Sequence, residues 1–185
     1  GSSAATWFAS KLGTTNIVPN LVSQVETFNA DQPTYASGIR ANSVSDLLRM
    51  LRPADPNLSV TVQAQVEELM AHAAACPRGK QSELHQSAEE SRLKAAQMAA
   101  GKLDTHFDFL ANNNKMAAIR SHYGVAKNNG GMSSPEGRAA MAAQAIMRGV
   151  SRSVSISVAG GLDSHGDEWA SAHGPRQQRG FNAIA

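Results

Sequence analysis

The chain has 185 residues and a mass of 19.5 kDa, the size of one ordinary domain or of one domain with an attached lobe. Hydrophobic residues make up 42% and charged residues only 17%, which supplies a sizeable core and excludes a disordered or coiled-coil chain. The net charge of +2 and the scattered Arg152, Arg176 and Arg179 exclude a nucleic-acid footprint, and no apolar run reaches the roughly 18 to 20 residues of a membrane helix.

The 31 alanines and the 5% aromatic content predict closely approaching helices with few large anchors. No N-terminal segment reads as a signal peptide. Cys76 is the one cysteine, so an internal disulfide and a Cys-rich zinc module are excluded. Its expected role is a small buried thiol in an Ala-rich helix.

Residues 1–58 read as an irregular segment with a short strand and one helix. Ile17-Val18-Pro19-Asn20-Leu21-Val22 is a strand interrupted by proline, so it is an edge or the start of a strand. Asp31-Gln32-Pro33 is a turn, and Tyr35 to Ala41 reads as a loop. Ser43 begins a helix with Leu47, Leu48, Met50 and Leu51 on its apolar face. The prolines at 53 and 56 end it.

Residues 59–149 read as a helical lobe. Ser59 caps a helix to about Ala75, and Pro77 and Gly79 break it. Residues 82 to about 111 show helical spacing through Leu84, Ala88, Ala95, Met98, Leu103, Phe107 and Leu110. Glu89 and Glu90 precede Arg92 and Lys94 at ion-pair spacing. Asn112 to Asn114 cap a short helix that ends at Gly124. Asn128-Asn129-Gly130-Gly131 is a flexible turn. Ser133 with Glu136, or Ser134 with Pro135, then caps a helix that stops at Gly149. The seven methionines are expected in the core, and Trp7 and Trp169 are expected to pack.

Residues 150–185 change character. Val154, Ile156 and Val158 alternate with serine, a strand pattern. The polar loop Gly160-Gly161-Leu162-Asp163-Ser164-His165-Gly166-Asp167-Glu168 follows at once. A helix, then a strand, then a Gly-rich loop is the tail of an α/β unit, and ligands in such sheets sit beyond the carboxyl ends of the strands. The fold class is therefore mostly α with a small α/β portion.

In extended backbone, Asp163 and His165 project to the same side. A carboxylate and an imidazole there suit zinc, manganese or iron. Asp167, Glu168 and His173 add ligand or acid/base candidates. The bland alternative is an Asp163 that caps the next helix and a solvated His165. Asp104-Thr105-His106 has the same order but falls inside the long helical pattern, where i and i+2 diverge. His72, His85 and His122 are expected in surface or capping roles. Gly-x-Ser-x-Gly, a phosphate-binding loop and His-Glu-x-x-His are absent from the sequence.

The stretch from Ser153 onward resembles the central segment of a family of exported bacterial proteins of unknown function in the alkaline phosphatase/sulfatase-like superfamily. The match runs through Val154 to Val158 and Gly160-Gly161-Leu162-Asp163-Ser164-His165, then His173, Gln177, Gln178, Gly180 and Phe181. Trp7, Ile17 to Asn20 and Ser43 to Leu51 resemble it more loosely. The resemblance implies an Ala-rich helical lobe attached to a partial alkaline-phosphatase-like sheet. It implies Asp163 and His165 as ligands of a divalent metal, zinc or manganese, with Asp167 and His173 behind them or on the substrate side. The implied chemistry is hydrolysis of a phosphate or sulfate ester, and the implied location is periplasmic or exported.

Leu162 stands where the family has an aromatic residue, and Ser164 where it has threonine. The family's later Ser-Glu-Phe-Gly-Arg-like motif, its Asp-His pair and its early N-terminal ligand strand are missing from this sequence. The expectation is an incomplete site and no catalysis by the isolated chain. The competing expectation is a non-enzymatic helical module that binds a second copy or a partner protein through its Ala-rich helices.

Overall fold

The structure is a computed structural model and describes residues 1–13, 16–51, 59–83, 85–86, 89–90, 92–93, 103–162 and 169–185. It is mostly helical with one small parallel sheet. The first helix, α1, spans Ala4–Leu12. Strand β1 spans Asn20–Ser23 and starts directly after Pro19, where the missing N–H falls outside the strand. Strand β2 is Ile39–Arg40, inside a stretch read from sequence as a loop. Strand β3 is Ser153–Ile156. The order is β2-β1-β3, with both pairings parallel.

The proline-interrupted strand is therefore the central one. All four of its residues are buried, as expected for a parallel strand covered on both faces. Asn20 donates from Nδ2 to the Ala36 carbonyl at 3.2 Å and accepts at Oδ1 from Ser153 Oγ of β3 at 3.4 Å, whereas the buried Ser23 Oγ has no hydrogen-bond partner among the described residues. Leu21 sits opposite Ile39 on one side and Val154 on the other.

Helix α2 spans Val44–Leu51 and begins where Ser43 Oγ accepts from the Asp46 amide at 3.2 Å. Helix α3 spans Val60–Ala75, with Ser59 Oγ accepting from the Val62 amide at 3.3 Å. Pro77 does not simply break the chain. It occupies the first turn of α4, Pro77–Gln81, where a missing N–H costs nothing, and Gly79 lies within that helix. Cys76 joins the two helices and is half-buried, its Sγ accepting from the Gly79 amide at 3.3 Å, so it caps a helix instead of filling one.

The long helix expected up to residue 111 does not reach that far. Residues 103–106 form a 3₁₀ turn, which also holds the Asp104-Thr105-His106 triplet, and 107–111 are irregular. Phe107 and Phe109 are both fully buried, and the Phe109 amide donates to the Phe107 carbonyl at 2.9 Å. Two residues apart on a helix, both rings could not enter one core. Helix α5 spans Asn114–Tyr123, with Asn113 as its cap. The expected flexible turn at Asn128 is instead a one-turn helix, α6, Asn129–Met132, capped by Asn128. Helix α7 spans Pro135–Met147; Ser134, of the two candidate caps, accepts from the Gly137 amide at 3.1 Å. Helix α8 spans Gly174–Ile184.

One core cluster joins Leu21 of the sheet, Val44 and Leu47 of α2, the two phenylalanines, Met116 of α5 and Met141 of α7. Phe107 and Phe109 are the few large anchors that the composition demanded. Met116, Met132 and Met141 are buried, but Met50, Met70 and Met147 are exposed, because helical spacing defines a face and not what covers it. Met98 lies outside the described residues. Trp7 and Trp169 stand more than half exposed, contrary to the packing expected of them. Among the described residues, no helix is long and apolar enough to cross a membrane.

Candidate functional site

The carboxyl end of β3 is held by an arginine that the sequence did not single out. Arg138, on α7, donates from Nε to the Ser157 carbonyl at 2.8 Å and from Nη1 to the Ser133 carbonyl at 2.9 Å. Burial pushes its guanidinium below its ordinary value. Beyond Ser157 the ladder to β1 stops, and the chain enters Val158-Ala159-Gly160. Gly161 then turns it with a φ of 63°, a left-handed conformation that glycine adopts without strain. Arg176 on α8 donates from Nη1 to the Gly161 carbonyl, so both ends of this exit are tied to helices.

Asp163, His165, Asp167 and Glu168 lie outside the described residues. The loop they belong to is bracketed on both sides. Leu162 precedes it, 39% exposed. Trp169–His173, a single wide helical turn of the i to i+5 type, follows it and runs into α8. Among the described residues no group of three or more His, Cys, Asp and Glu side chains could hold a metal ion.

His173 is the unusual residue here. It is fully buried, and neither ring nitrogen has a hydrogen-bond partner among the described residues. The Trp169 ring meets it edge-on, with centroids 6.0 Å apart. An imidazole always carries at least one N–H donor, so burial without a partner is costly, roughly 1–3 kcal/mol for each unsatisfied group. A native side chain in that condition calls for an explanation in function or in a bound species.

The remaining histidines are different. His72 and His122 are exposed on α3 and α5, and His85 and His106 are half-buried. His122 stacks edge-on against Tyr123 beside a polar cleft of about 530 Å³ that Glu136 and Arg179 also line. Glu136, in the first turn of α7, accepts two bonds from Arg179 of α8, at 2.9 and 3.2 Å. That arginine, with help from burial-opposing backbone and Ser134 hydrogen bonds, holds the Glu136 carboxyl down at about 2. The pair fastens α8 to α7, and so fixes the helix that carries the residues behind the loop. No spacing rule could have found it, since the partners are 43 positions apart.

The chain matches no family model, no curated protein and no solved structure.

Proposed function

We propose that the chain carries the Asp163/His165 metal loop of a phosphate- or sulfate-ester hydrolase-like domain belonging to an exported, periplasmic protein. The observation that supports this most is His173, a fully buried imidazole whose two nitrogens have no partner among the described residues. The setting supports it too, because the loop leaves the carboxyl end of a parallel strand, where α/β sheets bind ligands.

The donor chemistry fits a divalent ion such as zinc or manganese. Asp163 offers a carboxylate and His165 a neutral imidazole, both suitable ligands. The bound ion would polarise the ester oxygen and stabilise developing negative charge. On this reading Asp167 and His173 would orient a ligand or hold a proton on the substrate side. A catalytic zinc takes three protein ligands, and the loop names two, so the proposal concerns metal binding and not turnover by these 185 residues alone.

Metal analysis after exhaustive dialysis tests it. One zinc or manganese ion per chain is expected in the wild type, and none in Asp163→Ala or His165→Ala. A wild-type chain that retains no ion after loading, or an Asp163→Ala chain that retains a full equivalent, would falsify the proposal.

A second reading, a helical interaction module, has its own observation. Val62, Val66 and Leu69 of α3 follow one another at four and three residues, the seam spacing of paired helices, yet Leu69 is 69% exposed. On this reading α3 pairs with a second copy of the chain. Sedimentation equilibrium is expected to show a dimer, and a monomer across the whole concentration range sinks this reading.

A further inference from the structure

The turn that opens α6 is used by neither reading above. Asn129-Gly130 is the sole asparagine–glycine pair in the sequence, and both residues are exposed. The two adjacent asparagines there differ. The Asn128 side chain is engaged, its Oδ1 accepting from the Gly131 amide at 2.8 Å. The Asn129 side chain and the Gly130 amide have no hydrogen-bond partner among the described residues. A free carboxamide and a free amide nitrogen therefore sit on neighbouring residues. Held together in this way, two such groups react as one molecule, which favours acyl transfer between them.

Glycine at 130 leaves the nitrogen open to approach, because it has no Cβ and its backbone turns freely. Little resists the movement that brings the two groups into contact. Helix α6 is a single turn, Asn129–Met132, and one turn is costly to form and adds little stability of its own. The Asn128 cap and the Met132 amide, which donates to the Asn128 carbonyl at 3.2 Å, hold it.

We propose that Asn129 is a site of self-modification. The Gly130 nitrogen bonds to the Asn129 Cγ, the Cγ–Nδ2 bond breaks, and the Gly130 amide proton ends on the departing ammonia. The succinimide that results takes up one water. Its hydroxyl adds to an imide carbonyl, and its proton returns to the Gly130 nitrogen. Addition at Cγ gives aspartate. Addition at the main-chain carbonyl gives isoaspartate, whose main chain runs through the former side chain. Nothing is oxidised or reduced.

The isoaspartyl product matters because of what rests on this turn. A Cβ on Gly131 would stand 2.0 Å from the Ala126 carbonyl oxygen, and one on Gly137 would stand 2.2 Å from the Gly131 carbonyl oxygen. Backbone is thus packed on backbone from Ala126 to the first turn of α7. Ser134, the cap of α7, donates from Oγ to the Gly131 carbonyl at 2.8 Å. An extra main-chain carbon between Asn128 and Gly131 displaces both the amide that Asn128 caps and the carbonyl that Ser134 bonds. It loosens the start of α7, where Arg138 holds the exit of β3.

Incubation of the folded chain in mildly alkaline buffer, then trypsin digestion, tests the proposal. Cleavage after Lys127 and Arg138 releases residues 128–138. Mass spectrometry is expected to find NH replaced by O at Asn129 and not at Asn128, in aspartyl and isoaspartyl peptides that chromatography separates. The change should appear there before it appears at Asn42, Asn113 or any other asparagine. Gly130→Ala should slow it at least about tenfold, since a Cβ then obstructs the nitrogen. The added Cβ approaches Asn128 Oδ1 at 3.2 Å and no other described atom within 4 Å, so this variant should fold, which an unchanged circular dichroism spectrum checks. Asn129→Asp supplies the charge without the altered main chain and should melt like the fresh wild type, while the isoaspartyl-rich aged chain melts lower. Earlier reaction at another asparagine, reaction only in urea-unfolded chain, or an unchanged rate in Gly130→Ala overturns the site. An aged chain that melts like the fresh one overturns its effect on α7.

Discussion

Helices α3 and α7 start from the same instruction and end in opposite surroundings. Each is opened by a serine whose hydroxyl accepts from the amide three residues on, Ser59 for α3 and Ser134 for α7. Each is rich in alanine. Yet α7 buries Gly137, Ala139, Ala140, Met141, Ala142, Gln144 and Ala145, while among the described side chains of α3 only Ala74 is buried. The small residues of α7 let it lie close against β3, α5 and α8. The larger Val62, Val66, Leu69 and Met70 of α3 stand in water. The cap decides that a helix forms; the partners available decide whether its apolar face contributes stability.

The largest expected effect lies in α7. Met141→Ala removes a fully buried side chain from the core and should cost about 2–5 kcal/mol in urea denaturation. The matching change in α3, Leu69→Ala, should cost less than about 0.5 kcal/mol in the isolated chain. Equal losses from the two would break the contrast between the helices. A large loss from Leu69→Ala that appears only at high protein concentration would sharpen it, by identifying a second copy as the missing partner of α3.

A smaller effect is expected where α7 meets α8. The Glu136 carboxyl is held at about 2 by Arg179, below its ordinary 4.5. Its folded value is depressed, so the stability it adds is fully present above pH 4.5 and is lost as pH falls from there towards 2. Thermal denaturation should find the wild type more stable than Glu136→Gln at pH 6 and no more stable near pH 2. Because Arg179 is mostly exposed, added salt should narrow the gap at pH 6. A gap that is the same at both pH values would mean that the pair does not fasten α8.

What the sequence made legible was local. The serine and asparagine caps, the helix ends at Gly124 and Gly149, and the start of β1 after Pro19 all depend on residues within a turn of one another. What it hid was non-local. Leu103, Phe107 and Leu110 mimic helical spacing, but the demand to bury both Phe107 and Phe109 bends the chain out of the helix. Ile39–Arg40 is too short to show a period and becomes a strand only because β1 is alongside. Trp7, Trp169 and half of the methionines looked like core by type alone.

The candidate site divides in the same way. The Asp-x-His pair after a strand was visible as a pattern, and the residues themselves lie outside those the structure describes. The burial of His173, the Arg138 and Arg176 ties to the strand's exit, and the seat that Gly180 gives α8 come from chain segments far apart in sequence. None of them has a spacing signature. They are also what ties the end of β3 to α7 and α8.

X-ray absorption at the zinc edge of the loaded 185-residue chain tests the proposed metal loop most directly. The account predicts a shell of nitrogen and oxygen donors only, with imidazole scattering that is lost in His165→Ala and kept in His72→Ala. Sulfur scattering from Cys76, or an imidazole signature untouched by His165→Ala, would contradict it.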